Sequence, residues 1–311
     1  MSRIHEALKK AEQERAATQG GAAQPSFETA PVADAPVFAE TPAAAVTPAF
    51  PAVAHSGMPA FASPFSIDTL LARCAQVEWK PDSTTMLFLN GDDSARGTEE
   101  FRTLRSRLYH LREKMPLKKL LVTSALPKEG KSFTSSNLAQ VMVRQHGRRA
   151  LLIDADLRAP HLHTMLGTTS DPGLSDYLLG KNDEFSIMQR GSLENLFFIP
   201  SGTGVADPVE LIGNGRLKLL LQRVEPLFDW IIIDSPPAVP VSDASLLGKV
   251  CDGVLMVVRS NVTPFDVARK ARQEFPDQAL VGVVLNGTPE DAMPYERYYE
   301  SYQKKTTTTK A

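Results

Sequence analysis

A glycine, a lysine and a serine at positions 130–132 stand in a spacing that binds phosphate. The segment Ala125-x-x-x-x-Gly130-Lys131-Ser132 matches the Walker A pattern, with alanine in place of its first glycine, and it lies between an apolar run and a helical pattern. Backbone N–H groups of residues 128–132 can surround a phosphate there, and the start of the helix adds about half a positive charge. Lys131 can reach the β- and γ-phosphates, and Ser132 can ligate Mg²⁺. The segment therefore predicts a site for ATP or GTP with Mg²⁺.

Two further apolar runs end in carboxylates. The run "ALLIDADLRAP" places Asp154 and Asp156 at the end of one predicted strand, and "WIIIDSPP" places Asp234 at the end of another. Because ligands bind at the carboxyl ends of strands in open α/β sheets, we expect these three side chains beside the phosphate loop. Phosphoryl transfer needs one carboxylate that holds the metal's waters and another that orients or deprotonates the attacking group. These carboxylates could fill both roles.

Six short apolar runs, rich in β-branched residues, alternate with helical patterns. These elements must position the phosphate loop and the three carboxylates. Runs that are apolar on both faces are what a parallel sheet covered by helices requires. The pattern predicts one doubly wound, mostly parallel α/β domain of the P-loop NTPase type, with helices on both faces. The runs are residues 118–124, 149–156, 195–201, 229–237, 252–260 and 280–287.

The composition changes on both sides of this domain. Residues 1–15 predict a short amphipathic helix, which is either a frayed charged helix or a docking element. Residues 16–68 are rich in Ala and Pro and contain no Lys or Arg. Such a stretch buries too little apolar surface to offset its ordering entropy, so we expect a disordered linker. We place the globular domain at residues 69–292 and a tyrosine-rich tail at residues 293–311.

The bulk composition argues against several classes of protein. The chain has 34 Lys and Arg residues against 36 Asp and Glu, which gives no general attraction to nucleic acid. No apolar run approaches the roughly 18 residues needed to span a bilayer. Cys74 and Cys251 lack the spacing of a metal site or redox motif, as is typical of reduced thiols in a cytosolic protein. We therefore expect a cytoplasmic protein without a nucleic-acid partner.

Four of the six tyrosines lie within eight residues of the tail. Tyr295, Tyr298, Tyr299 and Tyr302 follow the spacing i, i+3, i+4, i+7, and Pro294 suits the first position of a helix. Taken alone, this spacing predicts an aromatic stripe that packs. Because the chain also has a phosphate site, we favour the interpretation that these tyrosine hydroxyls accept a phosphoryl group. Both interpretations hold if the stripe docks when it is unphosphorylated and is released when it is phosphorylated.

The segments "SALPKEGKS", "LLIDADLRAP" and "DWIIIDSPPAVPVSDA", together with the tyrosine-rich end, resemble a known family. They are similar to the bacterial tyrosine kinases of exopolysaccharide and capsule synthesis, the BY-kinases, in particular the CpsD/CapB-type polysaccharide autokinases. The resemblance covers roughly residues 95 to 303. It implies a kinase that transfers the γ-phosphate of ATP to the tail tyrosines of a neighbouring copy.

The resemblance also implies roles for individual residues. Lys131 would neutralise the β/γ charge, while Ser132 and Asp156 would hold Mg²⁺, with Asp234 acting directly or through water. Asp154 would accept the tyrosine proton, although Asp154 and Asp156 could exchange roles. Further nucleotide contacts are expected from Ala125, Pro127, Lys128, Glu129, Gly130 and Phe133, and from Asn286, which either faces the adenine or belongs to an ordinary strand-end turn.

The sequence "TEEFRTLRSRL" contains Glu99-x-x-Arg102-x-x-Arg105 on a predicted helix. The residues alone predict a solvated helix with a weak ion pair, whereas in the family this element closes the kinase into a ring. Two positions depart from the family pattern: Arg107, where a small polar residue is expected, and Lys128, which adds positive charge near the phosphates.

The resemblance further implies partners. These are other copies of the chain in a ring, a membrane polysaccharide co-polymerase that activates the kinase in trans and recruits it to the inner face of the plasma membrane, and a cognate tyrosine phosphatase.

Two alternative functions remain. One is a positioning ATPase of the ParA/MinD type, although Leu126 stands where that class has its signature lysine. The other is a nucleotide-gated scaffold whose tail only binds.

Overall fold

A computed structural model describes residues 66–88 and 97–289 of the chain. The predicted N-terminal helix, residues 1–15, and the linker up to residue 65 lie outside these described residues. The tail and its four tyrosines lie outside them too. The predicted boundaries of the flanking segments therefore stay predictions.

An eight-stranded sheet runs through the described residues in the order β1-β4-β5-β3-β6-β2-β7-β8. The strands are β1 (Ala75–Gln76), β2 (Lys119–Ser124), β3 (Ala150–Asp154), β4 (Gln189–Arg190), β5 (Leu196–Ile199), β6 (Trp230–Asp234), β7 (Gly253–Arg259) and β8 (Leu280–Asn286). All neighbouring pairs are parallel except β4 and β5. Each of the six predicted strands is present and lies within the run that predicted it. Strands β1 and β4 were missed because two residues are too short to show a period.

Helices cover both faces of the sheet. They are α1 (Ile67–Arg73), α2 (Thr98–Arg112), α3 (Lys131–Val143), α4 (Leu162–Leu166), α5 (Leu174–Leu178), α6 (Pro208–Gly213), α7 (Arg216–Val224), α8 (Asp243–Gly248) and α9 (Phe265–Gln273), with a 3₁₀ turn at Glu225–Leu227. Helices α2, α3 and α4 pack on one face, and the other six pack on the opposite face. The prediction of a doubly wound, mostly parallel α/β domain is confirmed.

Successive residues of the central strands enter two separate hydrophobic cores. In β6, Ile231 and Ile233 belong to one core, while Trp230 and Ile232 belong to the other. This follows from the strand period of two, which sends neighbouring side chains to opposite faces. Because both faces are covered, every residue of β3 and β6 is buried. The carboxylates that end these two strands are therefore held at the rim of a rigid core.

Candidate active site

The phosphate loop connects β2 to α3, as the sequence predicted. Lys128 and Gly130 have φ angles of +66° and +94°, both in the left-handed region. A Cβ atom on Gly130 would lie 2.0 Å from Nδ2 of Asn286. Glycine is required here by backbone conformation and by the close approach of β8. The loop thus leads directly into the N-terminus of α3 at Lys131, where unpaired backbone N–H groups favour an anion.

Lys131 lies among the predicted carboxylates. Its Nζ is 2.8 Å from Oδ2 of Asp156 and 3.7 Å from Oδ2 of Asp234, and it donates a 3.3 Å hydrogen bond to Oγ of Ser132. Burial lowers the pKa of Lys131, but the attraction of Asp234 and Asp156 outweighs that effect and raises the pKa above its ordinary value. The ammonium group is therefore charged and held at the centre of the site.

Asp234 ends β6 and is fully buried. Its Oδ2 accepts a hydrogen bond of 2.6 Å from Ser132, and its Oδ1 accepts one of 2.8 Å from Ser135. Burial raises the pKa of Asp234, while Lys131 and the two hydroxyls oppose the shift. Ser135, one turn along α3 from the loop, was not among the predicted site residues.

Asp154 lies beside Asp234 in the register of β3 and β6. Its side chain is fully buried and accepts hydrogen bonds of 3.2 Å from the backbone N–H groups of Asp156 and Leu162. Burial and the negative charges of Asp234 and Asp156 raise the pKa of Asp154 to about 8. The side chain is thus fixed in place beside two other acids, and Lys131 partly offsets the shift of its pKa.

Asp156 is held in the turn that follows β3. Its Oδ1 accepts hydrogen bonds from the backbone N–H groups of Arg158 (3.3 Å) and Ala159 (2.9 Å), which leaves Oδ2 for Lys131. Arg158 in turn donates two hydrogen bonds of 2.9 Å to the buried carboxylate of Asp243, at the start of α8. This bidentate pair anchors the turn to α8. No local pattern in the sequence marks this pair, because its partners are 85 residues apart.

Two predicted nucleotide contacts take part in bonds within the protein. Asn286 donates a 2.9 Å hydrogen bond from Nδ2 to the carbonyl of Glu129, and the side chain of Glu129 is buried. Ala125 is also buried, whereas Pro127 and Lys128 are exposed on the loop. Phe133 is partly buried and packs its ring against Phe101 of α2, 5.8 Å between centroids. The structure thus brings these residues to the phosphate loop, and their contacts to nucleotide stay predictions.

The predicted ring-contact residues lie on α2, against the phosphate-loop helix. Glu99 and Arg102 form an ion pair on the exposed side of α2. Arg105 donates a 3.0 Å hydrogen bond to the carbonyl of Val141 in α3, and so helps to join the two helices. An open groove of about 850 Å³ runs between α2 and β8, with Arg107 and Val283 among its lining residues. A role of these side chains in a ring stays a prediction.

Comparisons with known proteins agree with the predicted fold and the predicted family. A family model described as an AAA domain matches residues 128–265. Tyrosine-protein kinase YwqD of Bacillus subtilis (strain 168) is 35% identical over 192 residues, which cover 61% of this chain and 81% of that protein. Tyrosine-protein kinase wzc of Salmonella typhimurium is 32% identical over 222 residues, or 70% of this chain but 31% of that protein. The solved kinase domain of Escherichia coli tyrosine kinase ETK aligns with a TM-score of 0.61 at 29% identity, over 70% of this chain and 91% of that domain.

Together, the parallel sheet, the phosphate loop and the acidic strand ends define an enzyme of the P-loop class. Given its identity to YwqD and the share of YwqD that it covers, the chain belongs to the family of bacterial tyrosine-protein kinases. The predicted family and the predicted enzyme class are therefore confirmed. Among the helices in residues 66–88 and 97–289, none has the length and hydropathy that a bilayer-spanning helix requires.

Proposed function

We propose that this chain is an ATP-dependent autokinase that phosphorylates the tyrosine cluster of its own tail, in trans between subunits, and thereby regulates exopolysaccharide or capsule synthesis and export. The observation that carries the proposal is the arrangement of three carboxylates around Lys131 and Ser132, beside a helix N-terminus. Such a group of side chains suits a phosphate chain with its metal ion.

The donor set fits Mg²⁺ and ATP. Among the described residues, no three His, Cys, Asp or Glu side chains form an all-protein metal cage. Mg²⁺ seldom uses such cages, because it binds through one or two carboxylates, waters and the substrate's phosphates. Ser132, Asp156 and Asp234 would hold the ion, and Lys131 would neutralise the phosphates. Bound ATP supplies the phosphoryl group, and bound Mg²⁺ offsets the charge of the phosphates.

The proton of the attacking tyrosine requires an acceptor. Asp154 is our candidate, because its backbone hydrogen bonds fix it beside Asp234 and its pKa is well above that of an ordinary carboxyl. Asp156 is the alternative, since it lies nearer the solvent. In either assignment, Lys131 positions the carboxylates, and the backbone N–H groups of residues 128–132 orient the phosphates. Asn286 would lie at the adenine side of the same loop.

Phosphorylation of the tail would change its charge strongly. Each phosphate adds about −1.5 to −2 charges, so a cluster of four phosphotyrosines would be repelled by the acidic site of a neighbouring copy. We infer a switch in which the unphosphorylated tail docks in that site and the phosphorylated tail leaves it. Release of the tail would loosen a ring that is closed through Glu99, Arg102 and Arg105. A membrane polysaccharide co-polymerase would activate and recruit the kinase, and a cognate tyrosine phosphatase would reset it.

A mixing experiment tests transfer between subunits. One partner is the Lys131→Met chain, which keeps its tail, and the other has an intact site but all four tail tyrosines changed to Phe. With Mg²⁺, labelled ATP and the cytoplasmic segment of a co-polymerase as activator, we expect phosphotyrosine on the Lys131→Met chain. The matched control mixes Lys131→Met with a chain that carries both changes.

Each outcome decides one part of the proposal. Label on the Lys131→Met chain supports transfer between copies. Label that appears only when the intact site and the tail share one chain contradicts transfer in trans. If the wild-type chain gains no tyrosine label with activator present, then autokinase activity itself is wrong.

A further inference from the structure

Glu129 belongs to the phosphate loop, but its carboxylate is used inside the protein. Oε2 accepts a 2.8 Å hydrogen bond from the backbone N–H of Leu126, and Oε1 accepts a hydrogen bond from the hydroxyl of Thr263. The residue is only 3% exposed. A buried carboxylate is tolerated when donors satisfy its oxygens, and here one donor comes from the loop itself and the other from the segment that follows β7.

The ends of β7 and β8 hold the same stretch of loop. Oγ of Thr263 accepts a 3.2 Å hydrogen bond from the backbone N–H of Arg259, so its own proton is directed to Glu129. Arg259 also donates through Nη1 to the carbonyl of Lys128 (3.3 Å), and Asn286 donates to the carbonyl of Glu129 (2.9 Å). We call Glu129, Arg259, Thr263 and Asn286 the loop clamp.

The loop has a conformation that needs such support. The φ of +66° at Lys128 lies in the left-handed region, which residues other than glycine seldom adopt unless other contacts hold them there. Two members of the loop clamp hold the backbone here, because Arg259 donates to the carbonyl of Lys128 and Asn286 donates to the carbonyl of Glu129. Without the clamp, the loop would have to order itself on binding, and affinity would fall accordingly.

We propose that Glu129 and Thr263 are positioning residues, which hold the phosphate loop in its nucleotide-ready conformation before nucleotide arrives. This inference rests on the proposed function, because it takes the nucleotide to be bound at this loop. It adds Thr263, which was not among the predicted site residues, and it gives Glu129 a structural partner 134 residues away.

The test compares Thr263→Val, which keeps the shape but loses the hydroxyl, with Thr263→Ser, which keeps the hydroxyl. A hydrogen bond to a charged group is worth enough to change affinity by about tenfold. We therefore expect Thr263→Val to weaken binding of a fluorescent ATP analogue with Mg²⁺ by about that factor and to raise KM for ATP more than it lowers kcat. Thr263→Ser should stay within about twofold of wild type. Glu129→Gln, which keeps the size but offers one acceptor oxygen, should resemble Thr263→Val.

Thr203→Val is the matched control. It removes a hydroxyl that donates to the carboxylate of Asp176, outside the phosphate loop, and nucleotide affinity should not change. The second readout is hydrogen exchange in the nucleotide-free protein, in which Thr263→Val and not Thr203→Val should speed exchange at residues 126–131.

The two readouts separate this inference from the proposed function. Wild-type exchange and wild-type affinity in Thr263→Val would overturn the inference, even if the chain is a kinase. If the wild-type chain binds no nucleotide, the proposed function fails, and exchange at the loop alone decides whether the clamp holds its conformation.

Discussion

Lysine and carboxylate side chains meet at both ends of the sheet, in two clusters that differ in the number of carboxylates around one lysine. The carboxyl-end cluster comprises Lys131 with Asp154, Asp156 and Asp234, and the amino-end cluster comprises Lys119 with Glu225 and Asp252. Both are built from carboxylates around one lysine ammonium group. They differ in how exposed their side chains are and in how many carboxylates share one lysine.

In the amino-end cluster, every carboxylate is paired. Nζ of Lys119 lies 2.9 Å from Glu225 and 3.0 Å from Asp252, and Asp252 also accepts backbone hydrogen bonds from Lys118 and Lys119 (2.9 and 2.7 Å). The three side chains are 14–36% exposed, so water shares in their solvation. Such a cluster ties strand ends together and has no need of a further cation.

In the carboxyl-end cluster, three carboxylates share one lysine. Asp154 and Asp234 are fully buried, and burial with the neighbouring negative charges holds the pKa of Asp154 at about 8. Leaving buried charge uncompensated is costly for a fold. The two clusters show that an excess of buried carboxyl groups over cations, rather than the presence of ion pairs, separates a site for a cation and its phosphates from a structural contact.

The largest expected effect comes from removing one carboxylate at each end. Asp234→Asn or Asp156→Asn should lower the rate of tyrosine phosphorylation by about 10²- to 10³-fold, because each removes charge from the reacting centre. Asp252→Asn, the matched change at the amino end, should leave the rate within about twofold. Initial rates with labelled ATP check this. Equal losses at both ends would mean that the clusters do not differ in function.

Magnesium should stabilise the protein through one cluster alone. Mg²⁺ with ADP at about 100 times Kd should raise Tm by about 5 °C or more in wild type, and EDTA should reverse the shift. Asp234→Asn should abolish the shift, while Glu225→Gln should keep it. Thermal denaturation followed by circular dichroism measures these changes. A shift that survives in Asp234→Asn would place the metal ion elsewhere.

The smallest effect concerns the stability of the amino-end cluster at alkaline pH. Burial lowers the pKa of Lys119, but Glu225 and Asp252 outweigh burial and raise the pKa above 10.5. A lysine with a raised pKa stabilises the fold below its unfolded-state pKa, and that stability is lost as pH rises through the folded-state pKa. Wild type should therefore exceed Lys119→Met by less than about 1 kcal/mol at pH 9, and the gap should close above pH 10.5. Urea denaturation measures this difference in the free energy of unfolding. A difference that grows as pH rises would contradict a stabilising ion pair at Lys119.

The carboxyl-end cluster could be predicted from sequence because each of its members is marked locally. Asp154 and Asp234 directly end apolar strands, and Lys131 and Ser132 lie in a spacing that binds phosphate. The carboxyl ends of parallel strands meet at one rim, so local pattern and topology together fix the site. The parallel sheet followed in the same way from runs that are apolar on both faces.

The contacts that support the site could not be predicted in this way. Thr263 meets Glu129, and Arg158 meets Asp243, across more than 80 residues of chain. Their pairing depends on how loops pack after the sheet has formed, and no period or motif encodes that distance. The sequence left two alternatives for Asn286, a nucleotide contact or a strand-end turn, and its contact with the carbonyl of Glu129 emerged only from the fold.

We propose that the carboxyl-end cluster transfers the γ-phosphate of ATP to tyrosine. The most direct measurement is phosphotyrosine formed with labelled ATP, Mg²⁺ and activator in three chains: wild type, Lys131→Met and Lys119→Met. We predict label in wild type and in Lys119→Met, and its loss in Lys131→Met. Equal labelling of Lys131→Met and wild type would contradict the claim.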